Sequence, residues 1–260
     1  VSAPAVGLGR IQHLRELTLH LASRDLRSTH RRAALGWAWP LVLQLMQLGV
    51  LVFVFQGVLD LGMQDYPTYI FVGLVFFTWF QYGLISATGA VAEKGALVSE
   101  PRMSPIVLPV VALLVAAFDT ATALPVLALL VGFTTGFTWA ALWVPVILGI
   151  QAVLMLGLAL ILSAAHVYVR DVKPLVTVLL LMIFYLTPIF WTVGTLPDSL
   201  TWAVQLNPAF TLVDGYHSVL YYGVMPDTSA LAILGLVSLG ILALGVLVFR
   251  RLQPRFVDDL

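Results

Sequence analysis

The chain has 260 residues, 60% of them hydrophobic and 10% charged, against roughly a quarter charged in an ordinary soluble domain; a water-soluble globule is excluded at the outset. With 13 basic and 13 acidic residues the formal net charge is zero, and the lack of cysteine removes disulfides, thiolate metal sites and a cysteine nucleophile. A bilayer crossing takes about 20 mostly apolar residues, so the length supplies about six crossings in a single transmembrane unit over residues 1–260 and no sizeable second domain.

The first predicted element covers residues 10–32. Arg10, Arg15, Arg24 and Arg27 precede the first apolar run, and no short apolar core sits among them, so this stretch does not read as a cleavable signal peptide. Ile11, Leu14, Leu17 and Leu21 recur at helical spacing, with most charges off that stripe. Both an amphipathic helix on the membrane surface and a helix packed on another protein fit. Spans are expected over 36–59 and 66–92, the second with Tyr69, Phe76 and Phe80 near one helical face. Those rings, together with Tyr185 of a later span, suit either the wall of a conduit or ordinary packing.

Residues 93–105 form a connector of mixed charge carrying Glu93, Lys94, Leu97, Glu100 and Arg102; a short helix offered to a partner and a solvated loop are both open. The third span, 106–131, is interrupted by Asp119, whose carboxylate costs several kcal/mol at mid-membrane unless paired, hydrated or protonated. It should therefore face the protein interior, with Gln44, Gln47, Gln151, Thr120 and Thr122 as partners; an interhelical hydrogen bond and a contact with cargo are the two readings. Spans over 138–165 and 174–193 follow. Residues 194–228 are too apolar for a free loop and are broken at Asn207-Pro208, which suits a hairpin of two short helices dipping into the membrane, or simple aromatic anchoring at its surface. The last span is 229–249.

Alternating these loops across a bilayer gathers all 13 Lys and Arg residues on one side. By the positive-inside rule that side is cytoplasmic, with both termini inside, as in a bacterial cytoplasmic membrane protein. The chain lacks the G-x-x-x-x-G-K-[ST] phosphate loop, since Lys94 and Lys173 follow Glu93 and Val172. No H-E-x-x-H or G-x-S-x-G arrangement occurs, so no catalytic residue, metal site or bound cofactor is expected. No internal repeat supports an inverted-repeat transporter.

The order of several short motifs resembles one family over nearly the whole chain: the membrane subunits of ABC-type exporters of O-antigen, teichoic acid and related cell-surface glycans. The residues that carry it are Arg24-Asp25-Leu26-Arg27 followed by Leu35-Gly36-Trp37-Ala38-Trp39-Pro40-Leu41, then Arg170-Asp171, Thr187-Pro188-Ile189 and Asn207-Pro208. Two positions depart from its pattern: Thr29-His30 stands where a basic residue and Tyr are frequent, and Tyr216-His217 where Tyr-Arg is frequent. The resemblance implies an all-α polytopic protein, a homodimer paired with two copies of a separate ATPase that binds ATP and Mg, and a channel at the dimer interface. It implies that 93–105 holds a coupling helix seated in that ATPase. The outer hairpin with Asn207, Pro208, Tyr216 and His217 would form gate helices.

The substrate so implied is a polyprenyl-pyrophosphate-linked glycan, in contact with membrane lipids and with no nucleic acid. Arg24, Arg27, Arg31 and Arg32 are placed to meet its pyrophosphate, because guanidinium forks pair with phosphate; retention of the segment inside and contact with anionic lipid explain the same residues. A permease for a drug or small glycolipid shares this plan, and a non-transporting membrane scaffold or an intramembrane enzyme are the remaining alternatives.

Overall fold

The computed structural model describes residues 8–30, 36–58, 63–98, 103–192, 194 and 207–256. Among them the secondary structure is helical throughout. Helix α1 (Leu8–His30) is followed by α2 (Trp39–Val52), which continues through a π-helical turn to Val58. Then come α3 (Tyr66–Gly89), the one-turn α4 (Gly95–Val98), α5 (Val107–Ala121) and α6 (Leu124–Phe133). Helices α7 (Val144–Tyr168), α8 (Val172–Leu186), α9 (Pro208–Leu220) and α10 (Thr228–Leu252) complete the chain.

Four described segments are long and apolar enough to cross a membrane: Gly36–Val58, Tyr66–Gly89, Trp139–Tyr168 and Thr228–Arg255. A fifth exists if α5 and α6, bent by 43°, count as one span. The bend follows from Pro125, which has no N–H to return to the Ala121 carbonyl. Thr122 occupies the neighbouring Asp119 carbonyl instead, through its Oγ1 at 2.6 Å.

The expected helix over 174–193 is shorter than its apolar window. Helix α8 stops at Leu186, and its 15 residues reach about 22 Å along the axis. The cause is Pro188, which pushes the residue before it out of the helical region; Thr187 is extended at φ −96°, ψ 136°. The non-helical turn beyond it is stabilised by donors from α3. The Tyr66 hydroxyl donates to the Phe190 carbonyl at 2.6 Å, and the Tyr69 hydroxyl lies 3.1 Å from the Pro188 carbonyl and 2.9 Å from that of Trp191. Irregular backbone at membrane depth survives where protein covers it, as here.

Helix α3 is the axis of the fold. It is covered on most of its length by α2, α5, α7, α8 and α9, and Ile70, Phe71, Val72 and Val75 are wholly buried. Helices α7 and α10 meet backbone to backbone: a Cβ on Gly157 would stand 2.7 Å from the Leu242 nitrogen, and one on Gly245 would stand 2.5 Å from the Gly157 carbonyl oxygen. Small residues at such a crossing allow the close contact that drives helix association in lipid.

The helix ends that carry most of the basic residues are gathered around a second apolar cluster, in which Leu21 and Ala22 of α1 pack with Val91, Val107, Ala164, Val167, Phe249 and Phe256. This is called the basic end below, and the opposite one the far end. Leu17 packs on the same cluster, so part of the apolar stripe of α1 is covered by the chain itself.

Candidate functional site

Two polar constructions stand out inside this apolar body. At the far end, α9 is docked on α3 by two consecutive rings. Tyr216 stacks on Phe76 with centroids 3.7 Å apart, and His217 stacks on Tyr69 at 3.9 Å. The His217 Nε2 lies 2.9 Å from the Tyr69 carbonyl, which can only accept, so that nitrogen carries the proton. Gly73 leaves the room: a Cβ there would meet Nε2 of His217 at 3.2 Å. Helix α7 joins through Gln151, which accepts from the Tyr216 hydroxyl at 2.9 Å and donates to the Phe76 carbonyl at 3.0 Å.

The entry to α9 is fixed as well. Asn207 caps it by accepting from the Ala209 amide at 3.0 Å, and donates through Nδ2 to the Thr187 hydroxyl at 2.9 Å. Asn207-Pro208 and Thr187-Pro188 are therefore in contact, although 20 residues separate them in sequence.

His217 is 2% exposed, and burial pushes its imidazole down to about 4, which keeps it neutral near pH 7. Asp214, one turn earlier, is pushed above the usual carboxylate range by burial and by the neighbouring charge of Asp227.

At the basic end a cavity of about 650 Å³ opens between α1, α2, α3 and α5. Trp39, Leu43, Gln44 and Gln47 line it from α2, and Thr78, Tyr82 and Ser86 from α3. Asp119 and Thr120 form its deep wall; Asp119 stands twelve residues beyond the start of α5, about 18 Å along the helix. The other end of the cavity is bordered by two ion pairs, Lys94 with Asp25 and Lys173 with Glu93. These tie α1 to the 93–98 connector, and that connector to the start of α8. Gln44 is 4% exposed, and its Oε1 has no hydrogen-bond partner among the described residues.

The structure thus brings Gln44, Gln47, Asp119 and Thr120 to one cavity. Gln151, expected as a further partner of Asp119, is committed instead to Phe76 and Tyr216. Tyr69, Phe76 and Phe80 are each less than 5% exposed, in the interior of the chain, whereas Tyr185 is 59% exposed. Arg24 and Arg27 lie exposed on α1, Leu97 is half-buried in α4, and Glu93 and Lys94 sit at the ion pairs. Arg31, Arg32, Glu100 and Arg102 lie outside the described residues, as does most of the first limb of the hairpin. Asp25 and Lys173 were not singled out as site residues. The only sequence signal for them was opposite charge to Lys94 and Glu93, 69 and 80 residues away. Among the described residues no group of three or more His, Asp or Glu side chains is arranged to hold a metal.

The sequence profile of the ABC-2 type transporter family matches residues 16–221. The chain is also similar along nearly its whole length to the O-antigen export system permease protein RfbA of Myxococcus xanthus. That relative is 27% identical over 250 residues, 95% of this chain and 96% of the other. A protein of the same description from Klebsiella pneumoniae is 21% identical over 251 residues, again 95% and 96% of the two chains.

Proposed function

The chain belongs to the ABC-2 type transporter membrane family, a multi-pass translocation subunit of an ABC exporter, and from that premise we propose that it forms the channel for a lipid-linked polysaccharide. The observation that carries the reading is the continuity of the likeness to O-antigen export permeases over 95% of the chain. The matched stretch takes in the connectors and the hairpin as well as the spans.

In this reading the chain crosses the bacterial cytoplasmic membrane six times, with α5 and α6 as one bent span and α8 plus the turn after it as another. The basic end is cytoplasmic, as are both termini. Two copies form the channel, and two copies of a separate ATPase bind ATP and Mg. The 93–105 connector is the coupling element: Glu93, Lys94, Leu97, Glu100 and Arg102 meet the ATPase. The pairs Asp25–Lys94 and Glu93–Lys173 carry its displacement to α1 and α8. Arg24, Arg27, Arg31 and Arg32 meet the pyrophosphate of a polyprenyl carrier and the lipid around it. The hairpin is the outer gate, closed in this conformation by the Tyr216 and His217 stacks on α3. Channel-lining roles for Tyr69, Phe76 and Phe80 would require α9 to leave α3, since its rings cover two of them.

A second reading, a permease for a drug or small glycolipid, is favoured by one observation: the cavity of about 650 Å³ within a single chain has the size of a small-molecule site. One experiment separates the two. The chain is purified with the ATPase encoded beside it, and ATP hydrolysis is followed with and without polyprenyl-linked glycan. A complex with equal numbers of the two subunits, stimulated by glycan, is expected; stimulation by small amphiphiles and not by glycan would overturn the polysaccharide reading. Replacing Glu100 and Arg102 by Ala should uncouple hydrolysis from export, and unaltered export in both variants would count against the coupling role of the connector.

A further inference from the structure

We infer that Gly89, in the last turn of α3, is a positioning residue for the connector: the side chain it lacks is the room in which the Glu93–Lys173 pair lies against the end of that helix. The seated pair fixes where the connector stands at rest relative to α3. The inference rests on the coupling role proposed above for residues 93–105, and adds to it a residue with no side chain of its own.

The backbone does not ask for glycine at this position. Gly89 is buried at the end of a regular helix, and its φ is not positive, unlike that of Gly36, Gly136 and Gly223. Alanine would form the helix more readily. The space beside it is what excludes a side chain: a Cβ on Gly89 would stand 2.8 Å from the Lys173 Nζ and 2.8 Å from the Glu93 Cδ, inside the contact distance of either. Both atoms end long, flexible side chains, so the helix need not yield and the pair must. Gly73 and Gly83 on the same helix differ in kind, since they face His217 and Met155 in the packed interior, where a Cβ would be a packing fault.

Electrostatics give the pair a reason to lie there. Lys173 is the second residue of α8, where a cation meets the positive end of its own helix. Its ammonium reaches instead to the last turn of α3, where carbonyl ends carry the complementary partial charge, and Glu93 joins it there. The chain from Gly89 to Glu93 is short and tightly wound. The Ala90 amide donates to the Ala87 carbonyl at 3.2 Å, the Lys94 amide to that of Val91 at 3.3 Å, and Val91 is wholly buried. With Lys94 paired to Asp25 of α1, two adjacent residues of the connector are tied to two different helices. A partly exposed ion pair is weak by itself and exchanges partners at small cost; seated on a bare helix end, it has a defined place to return to.

The test uses the full chain in complex with its ATPase in proteoliposomes, with two readouts: hydrogen exchange of the amides at 90–98, and ATP hydrolysed per polyprenyl-linked glycan translocated. Gly89→Ala should speed that exchange about two- to fivefold, the range for loss of one partly exposed ion pair. It should also raise the ATP used per glycan, with the melting temperature unchanged or higher. Gly149→Ala, on α7 with nothing within 4 Å of the new Cβ, should match the wild type in both readouts. Lys173→Met removes the pair, and in that background Gly89→Ala should add nothing further. An effect of Gly89→Ala that is equal with and without Lys173, or a lowered melting temperature, would assign the glycine to helix packing and overturn the inference. Wild-type exchange in Gly89→Ala together with lost coupling in Lys173→Met would overturn the seat and leave the coupling role standing. Faster exchange that depends on Lys173, with unaltered ATP per glycan, would support the seat and overturn the coupling role.

Discussion

The far end and the basic end of this molecule are built on opposite plans. At the far end, α9 lies against α3 through two stacked ring pairs and a chain of neutral hydrogen bonds through Gln151, with little empty space. At the basic end the helices stand apart around a cavity of about 650 Å³, held by two ion pairs and leaving the Gln44 acceptor unused. Directional neutral contacts in a dry site hold one geometry, whereas partly exposed ion pairs are weak and exchange partners at small cost. The contrast teaches which end is locked by directional packing and which is held loosely around open space.

The comparison can be broken first by pH. His217 is held neutral by burial, with its pKa pushed from 6.5 to about 4. A released ring would take up a proton below 6.5, so the docking of α9 is fully stabilised above that value and loses stability as pH falls toward 4. The loss amounts to about 3 kcal/mol over the whole window. Melting of the purified chain at about pH 7.5 and about pH 5 should differ in the wild type and much less in His217→Gln; equal pH sensitivity in both would refute the docking role of that ring.

Next in size is Gln151→Leu, which leaves the buried Tyr216 hydroxyl without its acceptor. The expected loss is roughly 1–3 kcal/mol, read as a lower melting temperature that Tyr216→Phe on the same background partly restores. Asn207→Ala removes the cap of α9 and its link to Thr187, for about 1 kcal/mol, with faster proteolysis of the hairpin as the readout. The smallest effect on stability belongs to the basic end. Lys94→Glu should change melting by less than about 1 kcal/mol, because the pair with Asp25 is partly exposed, yet lower export sharply. Adding Asp25→Lys should restore export; no rescue would show that the pair transmits nothing.

Much of this architecture was legible in apolar windows, because lipid demands internally bonded helices and leaves long runs such as Tyr66–Gly89 unmistakable. The end of α8 was less so: hydropathy continues past Leu186, and only the proline at 188 marks the stop. The charge of Asp119 points to an interior position, and it lines a cavity that Gln44 and Gln47 also border. Gln151 was set there too, since a polar residue in a span announces that it needs a partner and not which one.

The sequence by itself determined that the chain is a multi-pass membrane protein built of apolar helices, since that depends on local composition against a fixed bilayer thickness. The family followed from the order of short motifs over nearly the whole length. Only the tertiary structure decided that Tyr216 and His217 lock onto Phe76 and Tyr69, that Lys94 and Lys173 answer Asp25 and Glu93, and that a cavity separates α2 from α5. Those outcomes depend on helix rotation and crossing, and residues 69 to 148 positions apart carry no mark of their pairing until the helices are packed.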